Sequence, residues 1–87
     1  MIVQLSKGRN GTPLCQTVAS YEEASTAVRA YIERKGKGMA AMPSSRFTGG
    51  PIVVDGGIIA HVSYNGRVWA GAEWKSGDVP LYDPRAA

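Results

Sequence analysis

The fold is decided by the stretch Asp55-Gly-Gly-Ile-Ile-Ala-His-Val-Ser-Tyr-Asn-Gly-Arg-Val-Trp-Ala-Gly-Ala-Glu-Trp74. It holds an apolar run between two tight-turn signals, Asp55-Gly56-Gly57 and Asn65-Gly66. Short apolar strands joined by Asp-Gly or Asn-Gly turns are typical of antiparallel hairpins. The stretch therefore predicts a three-stranded meander over residues 52–54, 58–64 and 67–74.

The Asn65-Gly66 turn also predicts a register. A two-residue type I′ turn would pair Tyr64 with Arg67 and Val62 with Trp69, and opposed residues share a face of the sheet. One face would then hold Val53, Ile58, Ala60, Val62, Tyr64 and Trp69. The other face would hold Ile52, Val54, Ile59, His61, Val68, Ala70 and Ala72.

Both predicted faces are largely apolar, whereas one face of an antiparallel sheet is commonly solvated and polar. A single helix covers only one of them, and large exposed apolar patches mark interfaces. We therefore expect a homodimer whose contact includes the second face or the adjoining edge strand, with these interface residues: Ile52, Val54, Ile59, His61, Val68 and Ala70. The alternative is that Phe47, Leu81 and Tyr82 fold over this face.

One helix is predicted over residues 21–35. Ser20 and Glu23 have the spacing of a capping box, in which each side chain bonds a backbone amide at the start of the helix. Gly36 suits the position after the last turn. An apolar stripe at helical spacing follows the cap, and its members are Tyr21, Ala24, Ala27, Val28, Tyr31 and Ile32.

Two further strands, residues 2–6 and 14–18, precede the helix and complete a β-β-α-β-β-β order. We therefore predict one α+β domain over residues 1–87, with one α-helix packed on an antiparallel β-sheet of three to five strands. Residues 37–51 form a long connection that is either a crossover strap held by Phe47 or a binding loop. Residues 75–87 form an extended C-terminal segment, because Gly77, Pro80 and Pro84 oppose regular structure.

No catalytic constellation is visible. His61 is the only histidine and Cys15 the only cysteine, and on its predicted face His61 has no acidic neighbour to orient it as a general base. One cysteine and one histidine cannot supply the four ligands of a structural zinc site. We therefore expect no enzymatic activity, no cofactor and no metal.

The chain carries 10 Lys and Arg against 7 Asp and Glu, a net charge of +3. This excess is compatible with a nucleic-acid partner but too small to imply one. A basic nucleic-acid-binding module is therefore the alternative function, and its candidate contacts are Arg9, Arg34, Lys35, Lys37, Arg46 and Arg67.

The single cysteine excludes a disulfide framework within the chain and favours a reducing compartment. No apolar run approaches the roughly 20 residues that span a bilayer, so no membrane partner is expected. The sequence thus predicts a small cytoplasmic interaction protein. Chains of this kind are common among the accessory proteins of mobile elements, although no motif here indicates that origin.

Overall fold

A computed structural model describes residues 1–8, 12–34, 47–71 and 79–85 of the chain. The elements are β1 (Ile2–Ser6), β2 (Leu14–Thr17), α1 (Tyr21–Arg34), β3 (Pro51–Val54), β4 (Gly57–Val62) and β5 (Val68–Ala70). The strands form one antiparallel sheet in the order β2-β1-β3-β4-β5. The predicted α+β class and element order are confirmed.

Helix α1 begins where its cap predicts. Ser20 Oγ accepts a hydrogen bond from the Glu23 amide at 3.1 Å, and Glu23 Oε2 accepts one from the Ala19 amide at 2.7 Å. The glutamate therefore reaches one residue further back than in a standard capping box. Glu22 and Glu23 lie at the positive end of the helix dipole and Arg34 at the negative end, where each charge is stabilised. The expected last residue, Lys35, lies outside the described residues.

The core lies between α1 and one face of the sheet. Val3, Ile52, Ala60 and Val68 are fully buried there, because alternate residues of each strand point toward the helix. The helix contributes its predicted stripe, and the sheet side is completed by other small and branched residues. The buried hydrophobic residues are Val3, Leu5, Val18, Ala24, Ala27, Val28, Tyr31, Ile32, Ile52, Ala60, Val62 and Val68.

The β3–β4 hairpin closes with a two-residue turn. Val54 pairs with Gly57, and the intervening Asp55 and Gly56 both have positive φ, 50° and 80°. Positive φ at both central residues defines the type I′ turn. Beyond the turn, Ile52 pairs with Ala60 and Val53 with Ile58. Ile59 is therefore the extra residue of a β-bulge.

The β4–β5 hairpin has a different register from the one predicted. Val62 pairs with Val68 and His61 with Trp69, and the Ser63 amide donates to the Arg67 carbonyl at 2.8 Å. The loop thus contains three residues, 64–66, and the Gly66 amide closes a turn onto the Ser63 carbonyl at 2.9 Å. Gly66 has the expected positive φ, 89°, but Asn65 does not share it. The predicted type I′ turn at Asn65-Gly66 is therefore wrong.

A side-chain acceptor and the helix both support the longer loop. Asn65 Oδ1 accepts a hydrogen bond from the Arg67 amide at 3.2 Å, an arrangement in which Asn stabilises a turn through the backbone two residues on. Ser63 Oγ also donates to Asn65 Oδ1. The buried Ser25 of α1 donates from Oγ to the Gly66 carbonyl at 2.6 Å and ties the loop to the helix.

The extra loop residue changes the face assignments, because a shift of one residue moves every following side chain to the other face. Trp69 lies opposite His61, not Val62. Val62 and Val68 both belong to the helix-covered face. The predicted division of the meander into two mixed apolar faces is therefore wrong, although the sheet still has one face that α1 does not cover.

Candidate interaction surface

The face of the sheet turned away from α1 forms a surface that we call the open face. The register places its members in two rows across the strands, with Ile2 opposite Val53 and Val53 opposite Ile58. Ile2 and Ile58 are 43% and 49% exposed. The open face consists of Ile2, Gln4, Cys15, Thr17, Pro51, Val53, Ile58, His61 and Trp69. It is therefore a mixed surface with a contiguous apolar row.

The predicted intramolecular covers lie elsewhere. Phe47 and Tyr82 pack against the core cluster on the helix side, and the Phe47 ring also lies 6.3 Å from the Tyr64 ring, centroid to centroid. Leu81 remains 47% exposed. Within the described ranges, α1 is the one helix, and it packs on the opposite face through β1 and β4. These residues therefore supply no second layer over the open face.

The two edges of the sheet differ. At β5, the Val68 amide donates to the Tyr82 carbonyl at 2.8 Å, and the Leu81 amide donates to the Val68 carbonyl at 2.6 Å. Arg67 Nε and Asp83 Oδ2 form an ion pair at 3.1 Å beside this bridge. The C-terminal segment thus covers the edge at Val68.

Strand β2 forms the other edge, and all four of its residues are exposed. The Val18 amide donates to the Met1 carbonyl at 2.9 Å, and the Met1 amino group donates to the Val18 carbonyl at 3.2 Å. Hydrogen-bonded pairs alternate with non-hydrogen-bonded pairs along an antiparallel ladder. Gln16 therefore bonds to β1, whereas the N–H and C=O groups of Cys15 and Thr17 point away from β1, toward the edge.

A groove of about 530 Å³ runs beside this edge on the helix side. Glu22 and Glu23 lie in its wall at the start of α1, and Arg34 lies at the end of α1. Its residues are Gln16, Glu22, Glu23, Thr26, Ala27, Ala30 and Arg34. The groove therefore combines a floor of small side chains with opposite charges at its two ends.

His61 is held in place on the open face. Its Nδ1 lies 2.9 Å from the Gly71 carbonyl, and the Gly71 amide donates to the Ile59 carbonyl at 3.0 Å. Because a carbonyl only accepts hydrogen bonds, Nδ1 is the donor in this contact. Its cross-strand neighbours are Pro51 and Trp69. Among the described residues, this arrangement orients the imidazole and pairs it with no acid.

The six predicted interface residues do not form one surface. Ile52 and Val68 are fully buried under α1, so neither is available to a partner in this fold. His61 belongs to the open face. Val54 and Ile59 are 37% and 40% exposed near the β3–β4 turn and the bulge. Ala70 is exposed at the end of β5, opposite the buried Ala60.

The candidate nucleic-acid contacts are also dispersed. Arg34 lies in the groove wall beside β2, whereas Arg67 pairs with Asp83 at the other edge of the sheet. The remaining four, Arg9, Lys35, Lys37 and Arg46, lie outside the described residues. The nine positions of the open face include no lysine or arginine. Nucleic-acid binding therefore stays a prediction from the sequence.

Within residues 1–8, 12–34, 47–71 and 79–85, no group of three or more His, Cys, Asp or Glu side chains is placed to hold a metal ion. In the same ranges, no helix has the length and apolar character needed to cross a bilayer. Comparison of the chain with protein-family models, with curated proteins and with solved structures found no match. The functional argument therefore depends on the geometry of the sheet.

The sequence interpretation missed the free edge at β2 and the groove beside it. Its strand prediction did place Gln16 on the face opposite to Cys15 and Thr17, and the pairing of Gln16 with Val3 confirms this. The interpretation did not predict the order of the strands in the sheet, in which β2 is outermost. Hydrophobic periodicity does not report which strands pair at long range, so only the exposed polar character of this strand was available as a signal.

Proposed function

We propose that this chain is a small non-enzymatic interaction protein that acts as a homodimer, with its contact through a face or an edge of the sheet that α1 leaves uncovered. The observation that carries this proposal is the unequal covering of the sheet. One face is sealed by α1, whereas the open face keeps Ile2 and Ile58 nearly half exposed beside Val53. Contiguous apolar surface of this kind is typical of protein contacts.

The composition of the open face supports a protein partner. Its apolar row is flanked by the hydrogen-bonding side chains of Gln4, Thr17 and His61. Interface cores are depleted in charge and enriched in aromatic residues such as Trp69. A symmetric dimer is the commonest closed assembly of a single chain.

The absence of Lys, Arg, Asp and Glu at the nine open-face positions also fits a contact that tolerates salt. Apolar burial and backbone hydrogen bonding are weakly affected by ionic strength, whereas nucleic-acid binding through Lys and Arg weakens steeply as salt rises. Association at both low and high salt is therefore the behaviour that separates the proposed function from its alternative.

Sedimentation equilibrium of the full chain over a concentration series tests the proposal. We expect the fitted mass to rise from monomer to dimer with concentration, and to do so at both low and high salt. A monomer mass throughout the series contradicts the proposed function. A complex with a mixed-sequence DNA or RNA duplex that disappears at high salt, without self-association, would favour the nucleic-acid alternative.

A further inference from the structure

We propose that two copies of this chain pair edge to edge along β2, antiparallel about a two-fold axis at Gln16, so that their sheets join into one. This inference rests on the proposed homodimer and names its contact. Strand β2 is the fully exposed edge of the sheet, whereas the opposite edge is bridged by Tyr82. An exposed edge strand is a template for pairing with another chain.

The directions of the backbone groups select the register. Cys15 and Thr17 direct their N–H and C=O groups outward, two residues apart. An axis at Gln16 places Cys15 opposite Thr17 of the second copy, and the reverse, so that four hydrogen bonds use all the outward groups of both residues. An axis at Cys15 would place Thr17 opposite Pro13 of the second copy, which has no N–H to offer.

The edge carries little protection against such pairing. Proteins commonly guard exposed edges with lysines, inward-pointing charges, prolines or bulges. The residues of β2 are Leu14, Cys15, Gln16 and Thr17, none of them charged. The irregularity in the β1–β2 ladder lies between Gln4 and Ser6, at the Leu14 end, and leaves the Cys15–Thr17 segment regular.

The charges beside the edge are complementary under the same symmetry. Helix α1 starts after three connecting residues, 18–20, at the Thr17 end of β2. It runs back toward the Leu14 end, because Ser25 and Arg29 approach Gly66, whose loop follows Val62 at that end of the sheet. Glu22 therefore lies toward the Thr17 end of the groove and Arg34 toward the Leu14 end. The two-fold axis brings Arg34 of one copy to the side of Glu22 of the other.

The side chains at the axis also match. Gln16 lies on the helix side, opposite Val3, so the two Gln16 side chains become neighbours across the axis. Side chains opposed at a non-hydrogen-bonded position are the closest cross-strand pairs, and amide side chains both donate and accept hydrogen bonds. The joined sheet would then present two open faces side by side as one continuous surface.

Engineered disulfides test the register directly. Non-hydrogen-bonded pairs have Cα atoms about 4.5 Å apart, within the range that a disulfide bridges. The reporter variant is Gln16→Cys combined with Cys15→Ser, and the matched control is Ile58→Cys combined with Cys15→Ser, whose cysteine lies on the open face. Under mild oxidation we expect the Gln16→Cys variant to form a covalent dimer several-fold faster than the control.

Two sets of variants test the contact without a new cysteine. Thr17→Pro removes an outward N–H that makes no bond to β1, so we expect a folded protein whose dimer dissociates at concentrations where the native chain is dimeric. Arg34→Glu should weaken association, and the loss should be largest at low salt, where the new repulsion from Glu22 of the other copy is least screened. Adding Glu22→Arg to Arg34→Glu should restore it, because the reversed charges again face opposite charges across the axis.

The outcomes separate the two proposals. A native monomer at every concentration overturns the homodimer and this inference together. A native dimer that survives Thr17→Pro, and that crosslinks faster at residue 58 than at residue 16, overturns the β2 contact while leaving the homodimer in place. If Thr17→Pro fails to fold, concentration-dependent protection of the Cys15 and Thr17 amides from hydrogen exchange supports the β2 contact, and fast exchange in the dimer contradicts it.

Discussion

The two hairpin turns of the meander have similar sequences and different structures. Asp55-Gly56 is an exposed two-residue turn in which both residues have positive φ. Asn65-Gly66 belongs to a three-residue loop in which Gly66 is buried and has positive φ while Asn65 does not. The first turn adopts the conformation that its dipeptide favours in hairpins, whereas the second does not.

The environment of the two glycines accounts for the difference. No atom lies within 4 Å of the position that a Cβ on Gly56 would occupy. The corresponding position on Gly66 lies 2.9 Å from Arg29 Cδ and 3.1 Å from Ser25 Oγ. The helix therefore contacts the second turn and not the first. A dipeptide compatible with two loop lengths takes the one that tertiary contacts stabilise.

Of the variants that test this comparison, Gly66→Ala should lower the stability of the protein most. It places a side chain at positive φ and against Ser25 and Arg29, and the two penalties together should lower the free energy of unfolding by about 2–4 kcal/mol. Chemical denaturation measures the change. A decrease in the free energy of unfolding of less than about 1 kcal/mol would show that the helix does not constrain this loop.

Ser25→Ala should have the next largest effect. It removes the donor to the Gly66 carbonyl and leaves that carbonyl without its partner in a buried site, which should cost about 1–3 kcal/mol. Thr26→Ala on the exposed side of the same helix turn is the matched control, with an expected change within about 0.5 kcal/mol. Equal unfolding midpoints for the two variants would show that the hydrogen bond from Ser25 to Gly66 does not stabilise the loop.

Gly56→Ala should cost less than Gly66→Ala, although the two glycines have similar φ values. Only the strain of positive φ applies at residue 56, because the added methyl group meets open space. We expect a loss of about 1–2 kcal/mol in the same denaturation experiment. A loss as large as that of Gly66→Ala would mean that backbone strain alone, and not the helix, distinguishes the two sites.

Asn65→Ala should lower the stability of the protein least. It removes the acceptor for the partly solvated Arg67 amide, a neutral hydrogen bond worth about 0.5–1 kcal/mol. Asn65→Asp keeps an acceptor at the same place and serves as the control in the same experiment. If Asn65→Asp loses as much stability as Asn65→Ala, the side-chain acceptor does not stabilise the three-residue loop.

Local signals were enough for much of the fold. The capping residues Ser20 and Glu23 and the apolar stripe of α1 located the helix, because these interactions join residues only a few positions apart. The Asp55-Gly56 turn and the apolar strands beside it were located for the same reason. The conclusion that one helix leaves one sheet face uncovered also followed from counting elements.

The faces of the sheet were predicted less well than its elements. Assigning Ile52 and Val68 to the second face depended on the register of the Asn65 hairpin and on a regular β3–β4 ladder. The structure instead has a longer loop in the Asn65 hairpin and a bulge at Ile59 in the β3–β4 ladder. Each adds one residue, and each changes which side chains face α1. Neither irregularity has a local sequence signal strong enough to reveal it.

The sequence by itself determined the class of elements, their order and the positions of the turns, because caps, periodicity and turn residues act over a few residues. Only the tertiary structure decided the length of the Asn65-Gly66 loop, the faces of β4 and β5 and the placement of β2 at the free edge. These features depend on contacts between distant residues, such as the bond from Ser25 to Gly66, 41 positions apart. The alternative local conformations differ by so little free energy that one such contact selects between them.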